Sequence, residues 1–149
     1  MNIKKSAAAI GTLIDVNKDR LKGYLKLAGK TSDQLMKKMF QRYAEHSQDA
    51  IKTLGALLAQ MGLPLTAGKV EDSSESLPLS RINLQQQTND IGKRPLLAIC
   101  LTSENVVLER YNQVLSDSVD HLTIEQHKMI YKQYMFLKKD HQDLLSLQF

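Results

Sequence analysis

Ile14-Asp15-Val16-Asn17-Lys18-Asp19-Arg20-Leu21-Lys22-Gly23-Tyr24 and Glu104-Asn105-Val106-Val107-Leu108-Glu109-Arg110-Tyr111 share one spacing: a polar residue, Asn17 or Glu104, stands seven positions before a tyrosine. Seven residues are two turns of α-helix, about 10.5 Å, so each polar residue and its tyrosine share a face. Each stretch leads to a second helical segment with two polar residues three apart, again on one face: His46 and Asp49 in the first half, Lys138 and His141 in the second. The pattern is thus used twice. A four-helix bundle builds a di-metal carboxylate site from a carboxylate on each of two helices and Glu-x-x-His on each of the other two. Here that layout is kept while most of the ligands are replaced.

Working outward, helix one is expected over about residues 6–28, with the seam Ile10, Ile14, Asn17, Leu21, Tyr24 and Ala28 and a left-handed cap at Gly29. Helix two is expected over 32–61. Thr31 to Gln34 read as its capping box, and Met36, Met39, Phe40, Tyr43, Ala50, Leu54, Leu57, Leu58 and Met61 face inward until Gly62 and Pro64 stop it. Helix three is expected over 95–117, with Pro95 in its first turn and the seam Leu97, Cys100, Glu104, Val107, Tyr111 and Leu115. Helix four is expected over 123–147, opened by a capping box at Thr123 to Gln126, with Ile130, Tyr134, Leu137, His141, Leu144 and Leu145 inward. No strand signal occurs.

Residues 63–93 are the one long non-periodic stretch, with a polar run from Glu71 to Ser76 and a short helix expected within Leu79 to Gln86. An antiparallel turn needs far fewer residues. A stretch of this length suits a crossover along the bundle between helices two and three. The halves align with an offset of 87 for helices one and three, and of 92 or 94 for helices two and four. The expectation is one all-α domain over residues 1–149.

The chain has 149 residues, enough to bury a core without a disulfide or structural metal, and one cysteine, Cys100, which suits a reducing compartment. Ala7 to Ile14 follow Lys4 and Lys5 as a signal peptide would, yet the large residues continue at helical spacing past Asp15. The reading is a helix start in a cytoplasmic protein, with no apolar run of membrane-spanning length. The net charge is +4; residues 1–62 carry 11 Lys/Arg against 5 Asp/Glu, and the remainder 9 against 11. Lys18, Lys22 and Lys26 form an exposed stripe, and no aromatics interleave with the basic residues as a nucleic-acid platform would need. There is no Gly-rich phosphate loop, Cys-x-x-Cys or serine nucleophile elbow, and His121 and His127 read as surface residues.

These stretches, together with Lys138-Lys139-Asp140-His141-Gln142-Asp143, resemble the ferritin-like superfamily. Within it, the chain resembles a bacterial family of domain-of-unknown-function bundles, from about residue 8 to 146. The resemblance implies a ferritin-like four-helix bundle with one long crossover. By position, the superfamily's helix-one glutamate is Asn17 and its helix-three counterpart is Glu104, which matches. The first Glu-x-x-His becomes His46-Ser47-Gln48-Asp49, and the second, Lys138-Lys139-Asp140-His141, keeps only its histidine.

Two readings of the centre follow. In the first, no cofactor is bound, and Asn17, Tyr24, His46, Asp49, Glu104, Tyr111, Lys138 and His141 form a polar core. The Lys138 ammonium supplies the charge a metal would, Glu104 pairs with Lys138 or His141, and the two tyrosines donate hydrogen bonds. In the second, His46, Asp49, Glu104 and His141 hold a single Fe or Zn ion. The first points to a non-catalytic structural, stress-related or interaction protein without catalytic residues. It would self-associate as a homodimer, because Tyr131, Tyr134, Met135 and Phe136 wrap more than one face of helix four. The second points to a metal-binding oxidoreductase or iron-handling protein. A Dps-like nucleic-acid binder using the basic half is a third class.

Overall fold

A computed structural model describes residues 2–66, 77–81 and 93–147. Among these residues lie four α-helices, α1 (Ile3–Lys30), α2 (Gln34–Gln60), α3 (Lys93–Asp117) and α4 (Ile124–Ser146), one turn of 3-10 helix at Pro78–Arg81, and no strand. The fold is all-α, as expected. No described helix is long and apolar enough to cross a membrane.

The caps show why the helices begin and end where they do. Asn2 opens α1 by accepting from the Lys5 N–H. Gly29 does not close it: the helix continues to Lys30, and an extended Thr31 caps it by donating its N–H to the Leu27 carbonyl. The N-cap of α2 is Asp33 rather than Thr31, because the Asp33 carboxylate accepts from both the Leu35 and Met36 N–H groups. Among the described residues Gly62 alone has a positive φ, 74°, which ends α2 as its sequence suggests. The Thr123–Gln126 capping box is formed on α4.

The helices neighbour one another in a ring, α1 beside α2 and α3, and α4 beside α2 and α3. Side-chain contacts fix their directions. The Ser6 hydroxyl at the start of α1 donates to the His121 carbonyl just after α3, while Asn17 meets Tyr111 and Arg20 meets Glu104. Rising numbers in α1 meet falling numbers in α3, so the two are antiparallel. The same holds for α2 and α4, where Met61 meets Gln126, Ala50 meets Gln133 and His46 meets Asp140. With α1 and α2 also antiparallel across a short connection, α2 and α3 point the same way.

The crossover expected over 63–93 lies largely outside the described residues, as do residues 82–86 of the short helix expected there. The part that is described seats on α1 and α3. Buried Leu79 packs on Gly23, and its N–H donates to the Ser103 hydroxyl at 2.9 Å; the Leu77 N–H donates to the Asp19 carboxylate. A Cβ at Gly23 would lie 2.5 Å from Leu79 Cγ, which explains a glycine in the middle of a helix.

The core holds Ile10, Leu13, Ile14, Phe40, Leu54, Leu57, Leu58, Ile130 and Leu144, all fully or almost fully buried. The α4 seam differs from the expected one. Gln126, Ile130, Leu137, Asp140 and Leu144 are buried, Tyr134 and His141 are half-buried, and Leu145 is exposed. Large apolar residues occur on several faces of α4, and one of the buried seam positions is a carboxylate. Apolar periodicity therefore finds Ile130, Leu137 and Leu144 but places the polar position one residue off, at His141 instead of Asp140. Of the two offsets weighed for α2 and α4, 94 follows the buried positions, pairing Tyr43 with Leu137 and Ala50 with Leu144. An offset of 92 would place exposed Lys138 opposite His46.

Candidate functional site

Arg20 lies on α1 between Asn17 and Tyr24, three residues after one and four before the other, and is fully buried. Its guanidinium meets Glu104 of α3 bidentately, Nε to Oε2 at 2.9 Å and Nη2 to Oε1 at 2.7 Å. Nη2 also donates to Asp140 Oδ2 of α4 at 3.0 Å. Nη1 donates to the Tyr43 carbonyl and the Ser47 hydroxyl of α2, each at 2.9 Å. A guanidinium has five N–H donors, and all five are used. The Tyr24 and Tyr43 rings flank it at 5.1 and 5.5 Å. Burial acts to lower the Arg20 pKa, but the charge and hydrogen bonds of Glu104 outweigh it and raise it further, so the cation is retained.

Asp140 links this centre to the edge of the bundle. Its Oδ2 lies 2.7 Å from His46 Nδ1, and because a carboxylate only accepts, the hydrogen sits on Nδ1. One turn away, Asn17 Nδ2 donates to the Tyr111 hydroxyl and to the Leu13 carbonyl, both at 2.8 Å. The Tyr111 hydroxyl in turn donates to Gln133 Oε1 at 2.8 Å. Among the described residues, the buried side-chain atoms left without a hydrogen bond are Asn17 Oδ1 and the Tyr24 hydroxyl.

The sequence-predicted residues divide. Asn17, Tyr24, Glu104 and Tyr111 are buried in the polar layer, and His46 joins it through Asp140. Asp49 and Lys138 are exposed and His141 is half-buried. The Lys138 ammonium lies 5.5 Å over the Tyr134 ring, outside the centre. The expected partner of Glu104 is therefore corrected: the positive charge comes from Arg20, not from Lys138 or His141. The Tyr24 hydroxyl donates no bond to that pair; the Tyr24 ring stacks beside it instead.

The four-residue metal set fares no better. Asp49 faces outward, and both Glu104 oxygens are taken by the guanidinium. Among the described residues no three His, Cys, Asp or Glu side chains are placed to hold one ion. The residues present do not fit a di-metal centre, because a fixed cation already bridges the Glu104 and Asp140 carboxylates.

Arg20, Ser47 and Asp140 were not singled out by sequence reasoning, although a signal existed. Arg20 sits at seam spacing from Asn17 and Tyr24, whereas Lys18 and Lys22 do not. Asp140 likewise lies three after Leu137 and four before Leu144.

Residues 5–117 match the family described as Domain of unknown function (DUF2383). The chain belongs to this family. The DUF2383 match takes in Arg20, Ser47 and Glu104 and ends with α3, so the bidentate pair lies inside it while Asp140 of α4 lies beyond. No curated protein and no solved structure matches the chain.

Four acidic side chains near the centre hold their protons unusually tightly. Burial, then the Glu104 charge, pushes the Cys100 thiol up to about 12. Burial likewise raises Tyr24, Tyr43 and Tyr111 above the ordinary phenol range. The unfolded chain releases these protons first, from about pH 8.5 for the thiol and about pH 10 for the phenols. Above those values the folded state binds more protons, so stability falls as pH rises. The contribution of these groups is fully present below about pH 8 and is lost progressively above it. Urea midpoints are expected to decline steadily from pH 8.5 to 11, and Cys100 to resist disulfide-exchange reagents at pH 8 until urea unfolds the chain. Rapid labelling of the native protein would contradict this.

Proposed function

We propose that this chain is a non-catalytic structural or interaction protein of ferritin-like build, whose bundle centre is closed by an ion-pair network in place of a metal. The observation that carries the reading is the bidentate Arg20–Glu104 pair, fully buried and bridged to Asp140. A guanidinium with all five donors engaged does for two buried carboxylates what a metal cation would do, and it offers no open coordination position for chemistry. The parallel run of α2 and α3 supports a single long crossover, the connection that gives the ferritin-like build. The oxidoreductase and iron-handling readings are less well supported, because their glutamate ligand is already committed to Arg20.

Protein purified without chelator and then offered Fe(II) anaerobically or Zn(II) is expected to hold well under one ion per chain by elemental analysis. One ion per chain, lost on Glu104→Ala, would overturn the reading.

Self-association as a homodimer belongs to the same reading. Exposed Tyr131 and Met135 lie four apart on one face of α4. Sedimentation should give twice the chain mass for the parent and the chain mass for Tyr131→Glu. A monomeric parent removes the dimer.

A further inference from the structure

The α2–α4 seam is the most open contact of the ring, and a groove of about 440 Å³ lies along it. Ala50, Met129, Phe136 and Leu137 give the groove an apolar lining, and His46 also lines it. His46 is partly buried and held from two sides. Its Nδ1–H is spent on Asp140, Asp140 is fixed by Arg20, and the ring meets Phe136 edge-on at 4.5 Å. The imidazole is thus held in one orientation, and in its neutral form the hydrogen sits on Nδ1 and Nε2 is the acceptor. Among the described residues Nε2 has no hydrogen-bond partner and is not one of the buried unpaired atoms, and His46 lines the groove. Asp49 and Lys132 both line the groove, which leaves it without a net charge to favour an anion or a cation.

We propose that this groove binds a small, neutral aromatic alcohol. The ligand's hydroxyl donates to His46 Nε2, and its ring packs against Phe136, Met129 and Leu137. A phenolic O–H is the complement of a single fixed imidazole acceptor, and a flat ring suits an apolar slot that ends at an aromatic edge. Neither Tyr131 nor Met135 lines the groove, so the proposal does not rest on the state of self-association.

The test uses 4-ethylphenol and ethylbenzene as probes in NMR titrations of the full chain. 4-Ethylphenol is expected to shift the His46, Ala50 and Phe136 signals saturably and to bind about tenfold tighter than ethylbenzene, the worth of one net hydrogen bond. His46→Phe should remove that difference between the probes. Phe136→Ala, a change at a half-exposed side chain, should weaken both probes while leaving the circular dichroism unchanged. Equal affinity for the two compounds in the parent would overturn the proposal, as would shifts confined to residues outside the groove or no saturable shift at all. Equal affinity for 4-ethylphenol and 4-ethylcyclohexanol would overturn its aromatic part.

Discussion

Replacing Arg20 with alanine is expected to lower the unfolding free energy by about 3–5 kcal/mol, the usual cost of removing one partner from a buried ion pair. The substitution removes five hydrogen bonds and leaves the Glu104 and Asp140 carboxylates buried without their shared cation. Domains of this kind have total stabilities of about 5–15 kcal/mol, so the variant would sit near the edge of folding at 25 °C. Arg20→Lys should recover only part of the loss, because an ammonium cannot reproduce the fork that meets both Glu104 oxygens. Lys138→Ala is the control. Its side chain is exposed, and the change should stay within about 0.5 kcal/mol of the parent. Urea unfolding followed by circular dichroism separates these outcomes. Equal losses for Arg20→Ala and Lys138→Ala would return the central charge to Lys138.

The second large effect is expected at Leu79→Ala, with a loss of about 2–5 kcal/mol for a buried leucine. Leu79 is 1% exposed and sits on the Cα of Gly23, where its Cδ2 would lie 2.9 Å from a methyl group. Gly23→Ala on its own gains helix propensity, roughly 1 kcal/mol, but forces Leu79 off its seat at a cost of about 1–3 kcal/mol. Combined, the two changes should be less damaging than their sum, since the new methyl enters the space the leucine leaves. Thermal or urea unfolding of the two single variants and the double variant tests this. A loss below about 1 kcal/mol for Leu79→Ala would mean that the 3-10 turn merely rests on the bundle.

Much of the fold was legible because helix-forming physics is local. Seven-residue spacing, the Thr123–Gln126 capping box and Gly62 each act within a turn or two, and each was found where expected. Local signals also misled: Thr31 fits a cap box in the sequence, yet Asp33 reaches two backbone donors and wins. The candidate site was half legible. Asn17, Tyr24, Glu104 and Tyr111 stand at seam spacing on their helices and are buried. Arg20 and Asp140 do not look buried, because a single charge on a seam costs too much to be expected without its partner, and the partners are 84 and 120 residues away. The cation beside Glu104 is Arg20 and not Lys138, since α4 turns Asp140 inward and Lys138 outward.

The most direct measurement is a double-mutant cycle between Arg20 and Glu104, using Arg20→Met to keep most of the volume and Glu104→Gln to keep the shape while removing the charge. Single variants are expected to lose several kcal/mol each, and the double variant clearly less than their sum, with a coupling of about 2 kcal/mol or more. Additive losses, with coupling below about 0.5 kcal/mol, would contradict an ion-paired centre holding the bundle together.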